Sequence, residues 1–271
     1  MENVIINETI NELKAKFEKI KDKGYIRGIN NCNFGNAELT FEKLIGKEND
    51  EFQIADYKGV EIKVKNNFSF CNKYKNIHLF SLVPSNCFGL ELKRIRRMYG
   101  TKDKDFPNVN VFMKTIVSNR KIEVNDNYFF KLKVLYIEKR IYLYVYDKQN
   151  RLIDKNIYWD FEEIENVVER KLNYLCFVKY DSKLVSGNKY YKYVDMKFFK
   201  FKGMDTFFRL LENGNIRIYF CLGVYKSGYK KGMEHDHGVT FDIKESDLCK
   251  LYEEVLEWFL FGMVILFNHN Y

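Results

Sequence analysis

The chain contains 271 residues, of which 46% are hydrophobic and 30% are charged. This balance excludes an intrinsically disordered protein and provides enough apolar residues for one large domain or two small ones. The 45 basic and 37 acidic residues give a net charge of +8, which favours a polyanionic partner, although many basic proteins bind none.

The cysteines and both ends of the sequence indicate a cytoplasmic protein that does not cross a membrane. None of the six cysteines belongs to a CxxC pair, so they are expected to be reduced and mostly buried. The first residues are acidic and then amphipathic, unlike a signal peptide. The apolar residues 255–267 include Glu257 and are fewer than the roughly 20 that span a bilayer, which predicts a buried helix.

Helices and strands alternate in the first hundred residues. Residues 7–22 are predicted to form a helix that begins at Asn7. Its apolar residues recur at helical spacing, at Ile10, Leu13, Phe17 and Ile20. The elements that follow are a Gly- and Asn-rich loop at 24–36, a helix at 37–47 that ends near Gly46, strands at 59–65 and 77–83, and a basic helix at 90–100.

The remainder of the chain is rich in strands. Aromatic and β-branched residues between 109 and 153 predict several strands joined by short turns. A helix then begins after Asp160, where Glu163 can complete a capping box. The last predicted elements are strands near 174–180, 189–202 and 216–224, a helix at 205–212 ended by Gly214, and a helix at 246–261. This mixture predicts an α/β or α+β fold with a mixed sheet.

The segment 56–65, DYKGVEIKVK, combines the periodicity of a strand with alternating charges. In a strand, alternate residues share a face, so Glu61 and Lys63 lie on one side and the apolar residues between them on the other. Asp56 comes five residues before Glu61, and Gly59 permits a bend between them. Asp56 and Glu61 are therefore expected to converge at the start of the strand.

Two converging carboxylates and a neighbouring ammonium group suit Mg²⁺-dependent phosphodiester hydrolysis. Mg²⁺ binds carboxylate oxygens and keeps waters for a substrate phosphate. A lysine beside it can orient or help to deprotonate the attacking water and can offset charge in the transition state. The alternative is a solvated strand face with ordinary salt bridges. Glu-x-Lys occurs four times in the chain, but the other three lie in predicted helices and lack an Asp five residues earlier.

Residues 34–65 resemble the catalytic core of the MvaI/BcnI-type restriction endonucleases, relatives of the mismatch-repair nickase MutH. That core has a Gly, a helix of the L-E-x-L-L-G kind, a loop rich in Asn and acids, and a strand D-x-x-G-[IV]-E-[LI]-K. This sequence reads FGNAELTFEKLIGKENDEFQIADYKGVEIKVK. The resemblance continues through RRMYGTKD, through YWDFEEIENVVERKLNYLCFVKY and through a segment that contains HDHG, so that it spans roughly residues 34–252.

The resemblance implies an α/β fold with a restriction-endonuclease-like core, in which helices flank a mixed sheet, and a second lobe that recognises DNA. The corresponding division is an N-terminal helix and loop at 1–33, a catalytic lobe at 34–170, and a recognition lobe with the C-terminal helix at 171–271. The boundary near 170 has no break in composition to mark it.

The resemblance also implies a set of catalytic and metal-binding residues with Mg²⁺ as the cofactor. Asp56, Glu61 and the main-chain carbonyl of Ile62 would be metal ligands, and Lys63 would be the catalytic lysine. Glu42 takes the place where MutH-like enzymes keep another acid near the metal. The alternative for Glu42 is an exposed glutamate on a helix.

Histidines and basic residues elsewhere are candidates for DNA contacts. His235 and His237 share a face if the segment is extended, and the resemblance favours a contact with a base edge or a phosphate over a turn stabilised by Asp236. Two further histidines and no paired cysteines make a zinc site a poor alternative. His78 would contact DNA or lie at a strand end. The other candidates for phosphate contacts are Arg94, Arg97, Lys226 and Lys230.

The combined prediction is a Type II restriction endonuclease that acts as a monomer on a short duplex DNA site, which the resemblance suggests is CCNGG-like. A MutH-like strand-specific nickase and a non-catalytic DNA-binding protein are the alternatives. The presence of Asp56, Glu61 and Lys63 argues against the non-catalytic protein. A cognate DNA methyltransferase would be expected in the same cell without being a physical partner.

Overall fold

A computed structural model describes residues 2–29, 35–47, 54–67, 76–86 and 90–255. The helices in these ranges are α1 (Glu2–Lys21), α2 (Asn36–Ile45), α3 (Leu90–Tyr99), α4 (Phe161–Lys171), α5 (Met204–Glu212) and α6 (Leu248–Leu251). The strands are β1 (Ile26–Arg27), β2 (Val60–Asn66), β3 (Asn76–Ser81), β4 (Thr101–Lys102), β5 (Asn110–Ile116), β6 (Ile122–Val124), β7 (Tyr128–Leu135), β8 (Arg140–Asp147), β9 (Leu152–Asp160), β10 (Tyr174–Val185), β11 (Asn188–Phe201), β12 (Ile216–Val224), β13 (Glu234–Lys244) and β14 (Tyr252–Glu254).

The chain divides into two compact units that are both discontinuous in sequence. Unit one comprises Met1–Lys73, Glu169–Lys202 and Tyr252–Tyr271, and unit two comprises Tyr74–Val168 and Gly203–Leu251. The lobes predicted from the sequence were contiguous ranges, so the compact units do not follow them. A contiguous division cannot reproduce this arrangement, because strands from distant parts of the chain pair within each unit.

Unit one is built on a mixed sheet with the strand order β1-β11-β10-β2, and β14 also pairs with β11. β10 runs parallel to β2 and antiparallel to β11. The apolar side of β2 packs into a core with α1 and α2, which includes Val60, Ile62 and Val64. This burial confirms the face assigned to these residues from their alternation.

Helix α1 begins earlier than the sequence pattern indicated. The predicted face is buried, with Ile10, Leu13, Phe17 and Ile20 each at most 3% exposed. Ile6 is also buried and extends the stripe by one turn, so packing continues the helix back to Glu2. Asn7 therefore lies inside α1 and does not cap it, which corrects the predicted start.

Unit two contains two antiparallel sheets, with strand orders β3-β13-β12-β5-β4 and β6-β7-β8-β9. Its core is strongly aromatic. Trp159 lies edge-on to Phe220 and Phe241, while Phe80 stacks on Phe241 with ring centroids 4.7 Å apart. Aromatic pairs of this kind add to the stability gained from buried area. The strands predicted between residues 109 and 153 are present as β5 to β8, and they bury Phe112, Phe130 and Tyr142.

The start of α4 is capped differently from the prediction. Asp160 is the last residue of β9, and its main-chain N–H donates to Ser85 Oγ at 2.7 Å. Ser85 Oγ in turn donates to Glu163 Oε2 at 2.5 Å. A serine distant in sequence thus links the two residues that were expected to form a capping box on their own.

The predicted helix at 246–261 is wrong in its central part. A short 3₁₀ turn at Glu245–Asp247 and the four-residue α6 are followed by β14, which pairs with β11. A free sheet edge on β11 gives these residues strand partners that local propensity could not reveal. Residues 256–271, and with them most of the apolar run, lie outside the described residues. None of the helices in the described ranges is both long and apolar enough to cross a membrane.

Candidate active site

A tight turn before β2 brings Asp56 beside the strand. Residues 57–60 close on themselves through two main-chain hydrogen bonds of 2.9 Å. The two central residues, Lys58 and Gly59, have φ values of 45° and 86°, as a two-residue hairpin turn of type I′ requires. The chain reverses here, and Asp56 Oδ2 accepts a hydrogen bond from the Ile62 N–H at 2.8 Å. The bend expected at Gly59 is therefore present.

The main chain of Ile62 faces the same edge as Asp56. β2 pairs with β10 along one edge, and in the described part of the chain no strand pairs with the other edge. The N–H and C=O of a strand residue point to the same edge. Because the Ile62 N–H bonds to Asp56, the Ile62 carbonyl also points toward that edge. Two residues on, the Val64 N–H donates to Glu38 Oε2 at 3.3 Å.

Glu61 is buried and asymmetrically paired. Its side chain is 1% exposed, and Oε1 lies 2.7 Å from Lys63 Nζ and 3.4 Å from Lys171 Nζ. The end of α4 reaches this point because the Ala55 N–H donates to the Arg170 carbonyl at 3.2 Å. Glu61 Oε2 is buried and has no hydrogen-bond partner among the described residues. One carboxylate oxygen is thus satisfied and the other is available to a ligand.

Glu42 joins this cluster from the end of α2. It is buried, and Lys47 Nζ lies 3.7 Å from Glu42 Oε1. The same ammonium group forms an ion pair with Asp56 Oδ1. Glu42 is therefore not an exposed helix residue, and it lies close enough to Asp56 to feel its charge.

The crowding of carboxylates changes their ionisation. Burial and the charge of Asp56 raise the pKa of Glu42 to about 7, and burial with the same charge also raises the pKa of Glu61 to about 7. Burial opposes ionisation of Asp56 too, but Lys47 and the Ile62 N–H outweigh it and keep the pKa of Asp56 below its usual value. Burial alone would lower the pKa of Lys63, whereas Glu38 and Glu61 raise it above its usual value. Lys63 is therefore positively charged at neutral pH.

The donor set suits a divalent cation held by two carboxylates and one carbonyl. In the described ranges no group of three His, Cys, Asp or Glu side chains is arranged as a metal site. The candidates are instead Asp56, Glu61 with its unpartnered buried oxygen, and the Ile62 carbonyl. Oxygen ligands of this kind suit Mg²⁺, which needs few protein ligands and keeps its waters. The residues present thus fit the metal expected from the sequence.

His235 and His237 lie together on β13 in unit two. Their ring centroids are 3.9 Å apart, which confirms that they share a face. His235 stacks on Tyr225 at 3.8 Å, while His237 is exposed. The pKa of His235 is lowered, first by partial desolvation and then by the neighbouring charges of His237 and Lys230. His235 is therefore held as a neutral ring, and His237 is the more accessible of the two.

The two lysines of the β12–β13 connection differ in their partners. Lys226 Nζ lies 2.7 Å from Asp103 Oδ1 and 2.9 Å from Asp105 Oδ2. Lys230 Nζ instead lies over the rings of Tyr225 and Tyr229, 5.7 Å and 5.5 Å from their centroids. Lys226 is thus neutralised by the protein itself, whereas Lys230 remains a positive charge next to His235.

The arginines of α3 also divide into paired and exposed groups. Arg94 pairs with Glu91 at 2.6 Å and Asp154 at 2.9 Å, while the Arg97 side chain is exposed. Both line a cavity of about 520 Å³ within unit two. Its charged lining residues are Glu91, Lys93, Arg94, Arg96, Arg97, Lys102 and Glu234. The cavity is therefore predominantly basic.

His78 belongs to unit two, on β3, and not to the sheet that carries β2. Its Nδ1 lies 3.4 Å from Asp242 Oδ1, and its Nε2 lies 3.4 Å from Ser81 Oγ. A bulge between β3 and β13 places His78 and Ser81 on the same side. His78 is exposed but already has two polar neighbours within its own sheet.

Three residues of the carboxylate cluster were not assigned from the sequence, namely Glu38, Lys47 and Lys171. Arg96, which belongs to the basic segment suited to phosphate contacts, is instead buried beneath the HDHG segment. Lys171 ends one of the four Glu-x-Lys pairs, and Lys47 follows the glycine that ends α2. Neither signal distinguishes these lysines from the others in a basic chain.

Comparison with known proteins decides the family. The model of the MvaI/BcnI restriction endonuclease family matches residues 14–252. The chain belongs to the MvaI/BcnI restriction endonuclease family. It is accordingly a site-specific deoxyribonuclease, and the resemblance noted in its sequence is confirmed. No curated protein sequence matches it significantly.

Solved structures of a family member agree in fold. Restriction endonuclease MvaI in a complex with its cognate DNA substrate has a TM-score of 0.80 and 32% identity, covering 92% of this chain and 98% of that chain. MvaI in the absence of DNA has a TM-score of 0.57 and 30% identity, covering 92% and 97%. The predicted fold class, with sheets flanked by helices as in a restriction endonuclease, is confirmed.

Proposed function

We propose that this enzyme hydrolyses phosphodiester bonds in duplex DNA at a short specific site, with Mg²⁺ held by Asp56, Glu61 and the Ile62 carbonyl. The observation that carries the proposal is the buried, unpartnered Oε2 of Glu61 beside Asp56 and Lys63. A buried carboxylate oxygen without a partner is costly unless a ligand satisfies it. Bound Mg²⁺ would polarise the scissile phosphate and lower the pKa of an attacking water.

The protein side chains then orient the reacting groups and balance their charge. Lys63 keeps its proton at neutral pH, because two carboxylates face it. It therefore attracts a phosphate oxygen and orients the attacking water, and its charge offsets the charge that develops on the phosphate. Glu42, which shares Lys47 with Asp56, supports the metal ligands from the end of α2.

DNA recognition is assigned to unit two. The exposed His237, the cationic Lys230 and the exposed Arg97 are the side chains best able to reach a duplex. His235 and His78 are held by neighbours and serve as secondary contacts. Arg94 and Lys226 carry internal ion pairs, so DNA contacts by these two would require those pairs to break. The solved complex of MvaI with cognate DNA supports duplex DNA as the partner.

The finer assignments follow from the family resemblance. A CCNGG-like site, action as a monomer, a cytoplasmic location and a separate cognate methyltransferase belong to the proposal. The base contacts that set the site come from unit two, where single bidentate contacts discriminate bases by about 1–3 kcal/mol.

Removal of the metal is expected to abolish cleavage. Plasmid DNA incubated with the enzyme and Mg²⁺ should give discrete linear fragments, whereas EDTA should leave it intact and restored Mg²⁺ should recover cutting. Sequencing the fragment ends then gives the site. Persistent open circles would identify a nickase instead, and equal cutting in EDTA would contradict the proposed metal requirement.

Replacement of His237 by alanine is expected to weaken binding to the mapped duplex about tenfold, because one polar contact to a base edge or phosphate is lost. Binding is measured by fluorescence anisotropy with Ca²⁺ in place of Mg²⁺, so that the duplex stays uncut. The matched control is Gln149→Ala, an exposed polar residue in the turn between β8 and β9. Equal affinities for the two variants would remove His237 from the interface.

A further inference from the structure

The ammonium group of Lys47 lies between two carboxylates of the proposed metal site. Its Nζ forms an ion pair with Asp56 Oδ1 and lies 3.7 Å from Glu42 Oε1. The side chains of Lys47 and Asp56 are only 13% and 11% exposed, so water screens their attraction weakly. Lys47 therefore supplies, within the protein, the positive charge that these two carboxylates need.

The end of α2 fixes this position. Gly46 adopts a left-handed conformation with φ of 84° and ends the helix. The Lys47 N–H then donates to the Glu42 carbonyl at 2.9 Å. This turn directs Glu42 and Lys47 to the same end of α2, where Asp56 lies. The ion pair is thus a product of the backbone and not only of side-chain rotamers.

The Lys47 ammonium group contacts Oδ1, one of the two Asp56 oxygens through which a metal ion could bind. Asp56 Oδ2 already accepts the Ile62 N–H, and Oδ1 contacts Lys47. Oδ1 is the Asp56 oxygen that accepts no main-chain hydrogen bond, so a divalent cation that binds Asp56 through Oδ1 meets the Lys47 ammonium group there. Two cations against one oxygen repel each other strongly in a site with little water, so metal and ammonium compete.

We propose that Lys47 is a positioning residue that serves as a built-in counter-cation: it keeps Asp56 and Glu42 together before the metal binds, and metal binding moves its ammonium group off Asp56. This inference rests on the proposed metal site. It explains how an acidic cluster with two buried carboxylates stays assembled in the metal-free protein. By competing with the metal for Asp56, Lys47 also makes the affinity of the enzyme for the metal lower than it would be without this lysine.

Direct measurement of metal binding tests the competition. The Kd for Mn²⁺ is measured by electron paramagnetic resonance on the full-length wild type and on the Lys47→Met and Lys43→Met variants. Lys43 is the control, since it is an exposed lysine on the same helix. Lys47→Met is expected to bind Mn²⁺ about tenfold more tightly than wild type, and Lys43→Met within about twofold of it. If Lys47 only stabilised the structure, the Lys47→Met variant would bind Mn²⁺ more weakly than wild type. Weaker or unchanged Mn²⁺ binding in this variant overturns the inference.

A second measurement needs no loss of Lys47. The lysine Cε resonances of the ¹³C-labelled wild type are followed during a Ca²⁺ titration, with Lys47 assigned from its absence in Lys47→Arg. Its resonance should shift with the binding curve while that of Lys43 stays in place; an unmoved Lys47 at saturation overturns the inference. If the wild type does not bind Mn²⁺, or if the Asp56→Asn variant binds Mn²⁺ as tightly as the wild type, then both the proposed metal site and this inference are overturned.

Discussion

Replacement of Lys63 by alanine is expected to reduce DNA cleavage about a thousandfold while leaving Ca²⁺-supported DNA binding within about threefold of wild type. Lys63 Nζ lies 2.7 Å from Glu61 Oε1 and 3.5 Å from Glu38 Oε1, and both carboxylates keep it charged. This charge is fixed next to the unpartnered Glu61 oxygen, where the proposal places Mg²⁺ and, against the metal, the scissile phosphate. Its loss therefore removes stabilisation from the transition state more than from the bound substrate.

The experiment measures single-turnover cleavage of a duplex that contains the mapped site, together with anisotropy in Ca²⁺. Lys65→Ala is the matched control, because it removes the same charge two residues further along β2. It should cleave within about threefold of wild type. Circular dichroism melting of each variant checks that the sheet is intact. If Lys63→Ala cleaves at the rate of Lys65→Ala, the assignment of Lys63 as the catalytic lysine fails.

The core of the candidate active site was predictable because its geometry is local. Asp56, Glu61 and Lys63 lie within eight residues, and strand alternation with one turn at Gly59 determines which side chains meet. The apolar side of β2 fixes the register, since a one-residue slip would expose the core residues and bury the charges. The local sequence pattern was therefore sufficient to predict both the strand and the face on which its acidic side chains lie.

The remaining parts depend on contacts between distant residues. Lys171 reaches Glu61 across 110 positions, as the ends of a parallel strand pair meet. Lys47 is nine residues from Asp56, but the residues between them show no pattern from which this contact could be predicted. The same reasoning applies to β14, whose pairing with β11 replaced a predicted helix. Periodicity reports which face of an element is buried, not which element covers it.

Within α3 the sequence RIRR gave no sign that neighbouring arginines have opposite roles. Arg96 is 2% exposed, and its Nη1 donates to the Gly223 carbonyl at 2.7 Å and to the Asn110 carbonyl at 3.1 Å. Nη2 forms an ion pair with Asp236, between the two histidines. Arg97, the next residue, is exposed. The basic pattern made Arg94 and Arg97 candidates for phosphate contacts, whereas Arg96 between them is a structural anchor.

Replacement of Arg96 by alanine is accordingly expected to destabilise the protein by about 3 kcal/mol. The change leaves two carbonyls and a carboxylate without the buried cation that satisfies them, and it removes a side chain that fills the space beneath β12 and β13. Urea unfolding followed by Trp fluorescence measures the free energy, with Trp159 in the core of the same unit as one reporter.

Arg97→Ala is the control with the opposite expected result. Its free energy of unfolding should stay within about 0.5 kcal/mol of wild type, because an exposed side chain makes little contribution to stability. Its DNA affinity should nevertheless fall, and the slope of log Kd against log salt should become shallower by about one, as expected for the loss of one phosphate contact. Equal stability of the two variants would show that the buried arginine does not hold the HDHG strand, and that the histidines are positioned by the sheet alone.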